Sequence, residues 1–199
     1  MPEYITNQQI YEKVISGAIP LAAKYVWIAT ADIKDLYTEK NRKRVPFLEV
    51  LSDLVKKKVE IRLLHAKEPG PNFRKDFDRY PNLIKGIERI LCPRVHFKTV
   101  VVDGTFAYSG SANLTGAGMG AKSRDRRNFE AGLAATEPEL IEAIMEQFDA
   151  VWSGKHCKSC KRKEFCADYH DMINLPGSDG KNARMSGNKN WKSKRESVK

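Results

Sequence analysis

The chain has 199 residues, 41% of them hydrophobic, which is enough for one well-buried domain and little beyond it. No run of about 18 apolar residues occurs and the opening MPEYITNQQ lacks the basic-then-apolar order of a leader peptide, so no membrane-spanning helix is predicted and a cytoplasmic chain is expected. The net charge of +10 favours a polyanionic partner, but residues 1–154 hold only 23 Lys/Arg against 20 Asp/Glu, while residues 155–176 hold five against three and residues 177–199 seven against two.

Thr6 and Gln9 have the spacing of a capping box, and Ile10, Val14 and Ile15 give a short helix stopping at Gly17. Tyr25 to Ala31 is a continuous apolar run of strand length, as for a central strand covered on both faces. Asp32 to Arg44 reads as a charged loop. Phe47, Leu48, Leu51, Leu54 and Val55 then share one face of an amphipathic helix ending at Lys56-Lys57-Lys58. Val59 to Leu64 is a strand with a lone histidine, His65, at its end. Pro69-Gly70-Pro71 precedes a polar helical segment around Asn72 to Tyr80, and Ile87 to Cys92 is a further strand.

Arg94 to Leu114, RVHFKTVVVDGTFAYSGSANL, carries most of the functional information. Val95–Val102 and Thr105–Ser109 are rich in β-branched and aromatic residues, and Asp103-Gly104 between them predicts a tight hairpin turn. Side chains alternate along a strand, so His96 and Lys98 share a face. Thr115 to Arg127 follows as a glycine-containing loop whose Lys122, Arg124, Arg126 and Arg127 are candidates for phosphate contacts. Phe129 to Ala135 returns as a strand. Thr136 and Glu139 have the spacing of a second capping box, opening a helix with Leu140, Ile141, Ile144, Met145, Phe148, Val151 and Trp152 on its apolar face. Strands and helices alternate and then give way to a strand cluster, which indicates an α/β sandwich with the motif strands central.

The pattern His96-x-Lys98-xxxx-Asp103 followed by Gly110-Ser111-Ala112-Asn113 resembles the HxKxxxxD and GSxN signature of the phospholipase D superfamily. The resemblance covers about residues 20–152 and implies a phospholipase D-like sandwich with a mixed central sheet flanked by helices. It implies a phosphodiesterase in which His96 is the nucleophile and forms a phosphohistidine, with no metal required in the chemical step. Lys98 would meet the phosphate oxygens, and Ser111 and Asn113 would donate to them in the transition state. Asp103 takes a structural and electrostatic role, and Glu130 is the candidate for orienting the imidazole. Superfamily sites are built from two such motifs. His65 and His156 each have a Lys two residues on, Lys67 and Lys158, but no Asp five residues beyond it, and His170 has neither, so a homodimer sharing one site is expected. Single-motif relatives are mostly nucleases, so a nucleic acid is the expected substrate, and a separate partner for recognition is open. A catalytically idle nucleic-acid-binding module and a phospholipid-directed phosphodiesterase are the alternatives.

Cys157, Cys160 and Cys166 follow the last helix as Cys-x2-Cys-x5-Cys, and Cys92 stands just before the motif. In a chain without a leader peptide this clustering argues for a metal rather than disulfides. The spacing also resembles the 4Fe-4S staple of RecB-like nucleases, so a 4Fe-4S cluster is expected, with zinc as the alternative and His156 and His170 as reserve ligands. Such a site would pin Lys155, Lys158, Lys161, Arg162 and Lys163 into a basic patch, of which Lys158, Lys161 and Arg162 are candidate nucleic-acid contacts. Three units result: a catalytic domain over 1–154, a Cys-rich metal-binding segment over 155–176 and a disordered basic tail over 177–199 that contains Trp191.

Overall fold

Val26 to Thr30 are all buried, and they form the centre of a computed structural model that describes residues 1–169. The expectations for His170, Trp191 and the tail lie outside the described residues. In chain order the strands are β1 (Glu3–Thr6), β2 (Tyr25–Thr30), β3 (Tyr37–Lys40), β4 (Lys43–Pro46), β5 (Glu60–His65), β6 (Ile87–Leu91), β7 (Lys98–Val102), β8 (Phe106–Gly110) and β9 (Ala131–Ala135). The helices are α1 (Gln8–Ile10), α2 (Phe47–Lys56), α3 (Pro71–Phe77), α4 (Leu83–Gly86) and α5 (Pro138–Trp152).

Seven strands form one mixed sheet in the order β1-β9-β8-β7-β2-β5-β6. β2, β5 and β6 run parallel, and the β2–β7, β7–β8, β8–β9 and β9–β1 pairs are antiparallel. Period-two alternation divides the strands between two apolar layers. Val26, Ile28, Ile61, Val100 and Tyr108 face Ile10, Val14, Ile15 and α2, while Trp27, Ala29, Leu64, Val101 and Ala107 face Ile141, Phe148 and Trp152 of α5. Phe148 stacks between Trp27 and Trp152, with ring centroids 5.0 and 5.6 Å away. This is the expected mixed sheet flanked by helices.

The motif hairpin forms as expected, with residues 103 and 104 both at positive φ (54° and 68°) and the Thr105 N–H bonded to the Val102 carbonyl at 3.0 Å. That is a type I′ turn, whose twist matches the strands it joins.

Elsewhere the structure departs from the sequence reading. β1 was not expected. The stretch read as a loop over 32–44 contains the β3–β4 hairpin, turning at Asn41 and Arg42 with φ of 52° and 62°. The opening helix passes from α1 into a π-helix over Tyr11–Ala18 and then a 3-10 turn over Ile19–Leu21. Its box is half made, since Gln9 Oε1 accepts the Thr6 N–H at 3.0 Å. No box forms at Thr136: Pro138 opens α5 with a fixed φ, and the Thr136 N–H goes to Glu137 Oε2 at 3.1 Å. β9 starts two residues later than expected, at Ala131, with Phe129 in solvent and Glu130 in the site.

Candidate active site

The strand directions bring chemistry to one end of the sheet. Thr6, Thr30, His65, Leu91, Lys98, Gly110 and Ala131 are the strand ends on that side. Lys98 opens β7 and is buried, whereas His96 stands in the preceding loop, exposed. Lys98 Nζ donates to the His96 carbonyl at 2.5 Å and lies 3.4 Å from His96 Nδ1. Burial lowers the Lys98 pKa and the nearby Glu130 charge opposes it. Among the described residues no carboxylate pairs with this ammonium. A buried cation held by a carbonyl and an imidazole is poised for an anion.

Ser111 and Asn113 extend past the end of β8. Asn113 Oδ1 accepts the backbone N–H groups of Ala31 and Asp32, both at 3.2 Å. Backbone N–H groups only donate, so the oxygen assignment is fixed and both Nδ2 hydrogens remain for a phosphate oxygen. Thr30, fully buried, braces the turn: its hydroxyl donates to the Asp32 carbonyl at 2.9 Å and accepts the Leu114 N–H at 3.0 Å.

Glu130 lies beside Ser111 but is not bonded to His96. Its Oε2 takes a short hydrogen bond from the Ser111 hydroxyl and its Oε1 accepts from Asn128 Nδ2 at 3.0 Å. The expected carboxylate–imidazole contact is therefore absent among the described residues, and Glu130 is bonded instead to Ser111 and Asn128. Asn7, at φ 50°, fixes the backbone beneath by accepting the Glu130 N–H at Oδ1 (3.0 Å) and donating its own N–H to the Glu130 carbonyl (2.9 Å).

The motif glycine has a packing reason. A Cβ on Gly110 would lie 2.3 Å from Tyr108 Oη and 2.5 Å from the Ala131 carbonyl, and one on its cross-strand partner Gly132 would lie 2.5 Å from the same Tyr108 ring. The two glycines make room for Tyr108, whose hydroxyl accepts the Ala112 N–H at 3.4 Å and whose pKa burial pushes up to about 12.

Asp103 stands at the other end of β7. Its carboxylate accepts the backbone N–H groups of Ala23 (2.8 Å), Lys24 (2.7 Å) and Tyr25 (2.8 Å), tying the hairpin to the start of β2. Burial would raise its pKa, but these three donors hold it below the usual carboxylate value. His65 is also structural. It is fully buried, with Nδ1 2.8 Å from the Lys67 carbonyl and Nε2 3.0 Å from Arg89 Nη1, and burial depresses its pKa to about 4.

Lys122, Arg124 and Arg126 are exposed on the loop after Asn113, while Arg127 is half-buried and bonded to Gln8 Oε1 at 2.9 Å. The loop is folded back by Gly116 and Lys122 N–H bonds, both 3.1 Å, to the Asp35 and Gly116 carbonyls. Lys155, Lys158, Lys161, Arg162 and Lys163 are exposed in turns after α5. Cys92, Cys157, Cys160 and Cys166 form no disulfide and lie in one neighbourhood between those turns and the end of β6, close enough that Cys92 and Cys160 act on Cys157, and Cys92 and Cys157 on Cys166. Burial, and then Cys92 and Cys160, raise the Cys157 pKa, whereas the Arg162 N–H lowers that of Cys160.

Thr30, Asn7, Tyr108 and Gly132 escaped the sequence reading, because each acts through a partner remote in the chain or across a strand pair.

A sandwich of this topology, with a His-Lys pair and amide and hydroxyl donors at one sheet end, defines a phosphodiester hydrolase. The chain belongs to the phospholipase D-like family, since the family model described as cardiolipin synthase, PLD-like domain matches residues 15–152. Among solved structures it is similar to Nuc of Salmonella typhimurium, a phospholipase D family member, with a TM-score of 0.54 and 16% identity over 76% of this chain and 95% of that one. NucT of Helicobacter pylori gives a TM-score of 0.51 and 16% identity over 82% and 98% of the two chains. TrmBL2, an archaeal chromatin protein with a novel mode of DNA binding, gives 0.52 and 12% over 76% and 51%. These likenesses establish the fold. No curated protein matches the chain.

Proposed function

We propose that the chain is a nuclease cleaving phosphodiesters through a phosphohistidine at His96, without a divalent cation in the chemical step, in a site shared by two copies. The observation that carries this reading is the exposed His96 imidazole beside the buried Lys98 ammonium, which has no carboxylate in a salt bridge among the described residues, with Asn113 Nδ2 and Ser111 at the same strand ends.

In the tautomer with its hydrogen on Nδ1, a neutral His96 presents Nε2 as the nucleophile, and a phosphate draws Lys98 from the His96 ring onto its non-bridging oxygens. Nε2 attacks phosphorus in line, the bond to the leaving oxygen breaks, and His96 of the partner subunit protonates that oxygen as an imidazolium. Water then attacks the phosphohistidine, gives its proton to that same imidazole and releases His96. Asn113 stabilises the charge built on the equatorial oxygens, and Ser111 joins it by turning its single hydroxyl hydrogen from Glu130 to the phosphate. Glu130 acts by holding Ser111 and by balancing Lys98.

The shared site is supported by the single full HxKxxxxD motif, His96 to Asp103, and by an exposed apolar set beside Glu130: Phe129 is 96% exposed, Tyr4 67% and its cross-strand partner Leu133 41%. Nucleic acid is favoured by the exposed Lys122, Arg124 and Arg126, by the basic turns after α5, and by the likeness to a DNA-binding chromatin protein. A phospholipid substrate is the second reading, favoured by the family description. Among the described residues no helix is long and apolar enough to cross a membrane.

The test is cleavage of labelled single- and double-stranded DNA and RNA, with and without excess EDTA, together with sedimentation of the protein. EDTA-resistant cleavage by a dimer, abolished in His96→Ala, is the expected result. Binding without cleavage by a folded dimer would return the reading to an idle nucleic-acid-binding module.

A further inference from the structure

Not one of residues 153–169 is buried, so this segment has no apolar core of its own. Its side-chain attachments to the sheet cluster at the end of β6. Cys166 Sγ donates to the Leu91 carbonyl at 3.5 Å, and the Leu91 N–H goes to the Asp168 carboxylate at 2.6 Å. Cys92, the next residue, packs with Cys157 against the apolar layer beneath α5. A turn joins Cys160 N–H to the Cys157 carbonyl at 3.1 Å, and the Cys160 sulfur receives the Arg162 N–H at 3.4 Å and Arg94 Nη1 at 3.8 Å. None of the four cysteines is in a disulfide, and all four are half-buried.

Small units without a core are held by disulfides or metals. Four soft sulfur donors in one neighbourhood are the ligand type of zinc or of an iron–sulfur cluster. Either centre is net negative with four thiolates, and the backbone N–H and guanidinium already directed at Cys160 are the outer partners that such sulfurs require.

We propose that Cys92, Cys157, Cys160 and Cys166 form a four-thiolate site for zinc or an iron–sulfur cluster, stapling residues 153–169 to the loop that carries His96. Among the described residues no three potential ligands stand ready to hold a metal ion, so binding turns the sulfurs inward about χ1, each cysteine having a single heavy-atom side-chain torsion. Cys92 and His96 share one loop, and the Val95 N–H is bonded to the Cys92 carbonyl at 3.0 Å. The metal therefore anchors the loop at its start. Its consequence for cleavage rests on the nuclease reading, but its presence does not.

The full chain, purified anaerobically, is analysed for zinc, iron and acid-labile sulfide and by visible absorption. About one zinc, or about four iron with four sulfides and a broad visible band, is expected per chain. Cys92→Ser and Cys160→Ser should each lower that content at least tenfold, and His156→Ala should leave it unchanged. Thiol counting on the wild type covers the case of a variant that fails to fold: all four thiols should be protected with metal bound and become reactive together on chelation. A wild type that stays metal-free after reconstitution with zinc, or with ferrous iron and sulfide, overturns the proposal, as does wild-type metal content in Cys92→Ser. Cleavage by a metal-free wild type would leave the nuclease reading intact while removing the staple.

Discussion

Asp103 belongs to the signature that carries the enzyme class, yet it sits about 16 Å along β7 from Lys98, and its carboxylate is spent on three backbone N–H groups at 2.7–2.8 Å. Asp103→Ala strands those donors and puts an alanine at φ 54°. Solvent reaches part of the cluster, so we expect a loss of about 3 kcal/mol, of which the left-handed backbone accounts for about 1. Asp103→Asn keeps one oxygen and a residue that tolerates this backbone, and should cost about 1–2 kcal/mol. For a chain of this size the alanine variant should melt about 6–12 °C lower. The folded pKa is depressed, so the stabilisation is fully present above the unfolded value near ~3.9 and is lost as pH falls through the folded value below it. Urea unfolding of wild type and Asp103→Asn should differ equally at pH 7 and pH 5, and the difference should shrink below about pH 4. Turnover of the folded variants should stay within a factor of two or so. An Asp103→Asn protein with wild-type stability, or one with intact stability and turnover reduced a hundredfold, would refute the assignment.

Asn113→Asp retains the Oδ1 that accepts the Ala31 and Asp32 N–H groups but removes both amide hydrogens, so turnover should fall about 10²–10³-fold with little change in melting temperature, read by paired kinetics and calorimetry. Gly110→Ala should destabilise by about 2–3 kcal/mol, and adding Tyr108→Phe should not restore stability, because the Ala131 carbonyl still lies 2.5 Å from the new Cβ. His65 is neutral in the fold with its pKa near 4, so its contribution is whole above the unfolded value of about 6.5 and declines by roughly 3 kcal/mol as pH falls towards 4. His65→Gln should flatten the denaturation curve over that window; an unchanged slope would mean that other groups set it.

Much of this architecture was written locally. The Asp103-Gly104 turn, the apolar run of β2 and the striped faces of α2 and α5 follow from neighbouring residues. β1 was illegible because a four-residue edge strand with exposed Glu3 and Tyr4 carries no periodic signal. The β3–β4 turn uses Asn41-Arg42, and arginine at positive φ is not a turn signature. In the site, His96, Lys98, Ser111 and Asn113 could be named from spacing alone. What holds them could not: Thr30 and Leu114 meet across 84 positions, and Asn7 and Glu130 across 123. Glu130 was placed in the right neighbourhood, but its partner is Ser111, which the β8–β9 pairing brings beside it from 19 positions away.

β9 lies between β1 and β8, so the sheet closes by insertion. β1 has no strand to pair with until residues 131–135 arrive, which gives the fold long loop closures and a late final step. The same step seats Glu130 on Asn7 and brings it to Ser111. During synthesis, His96 and Lys98 therefore emerge before Glu130 and β9, and their surroundings are complete only once residues 131–135 have been made.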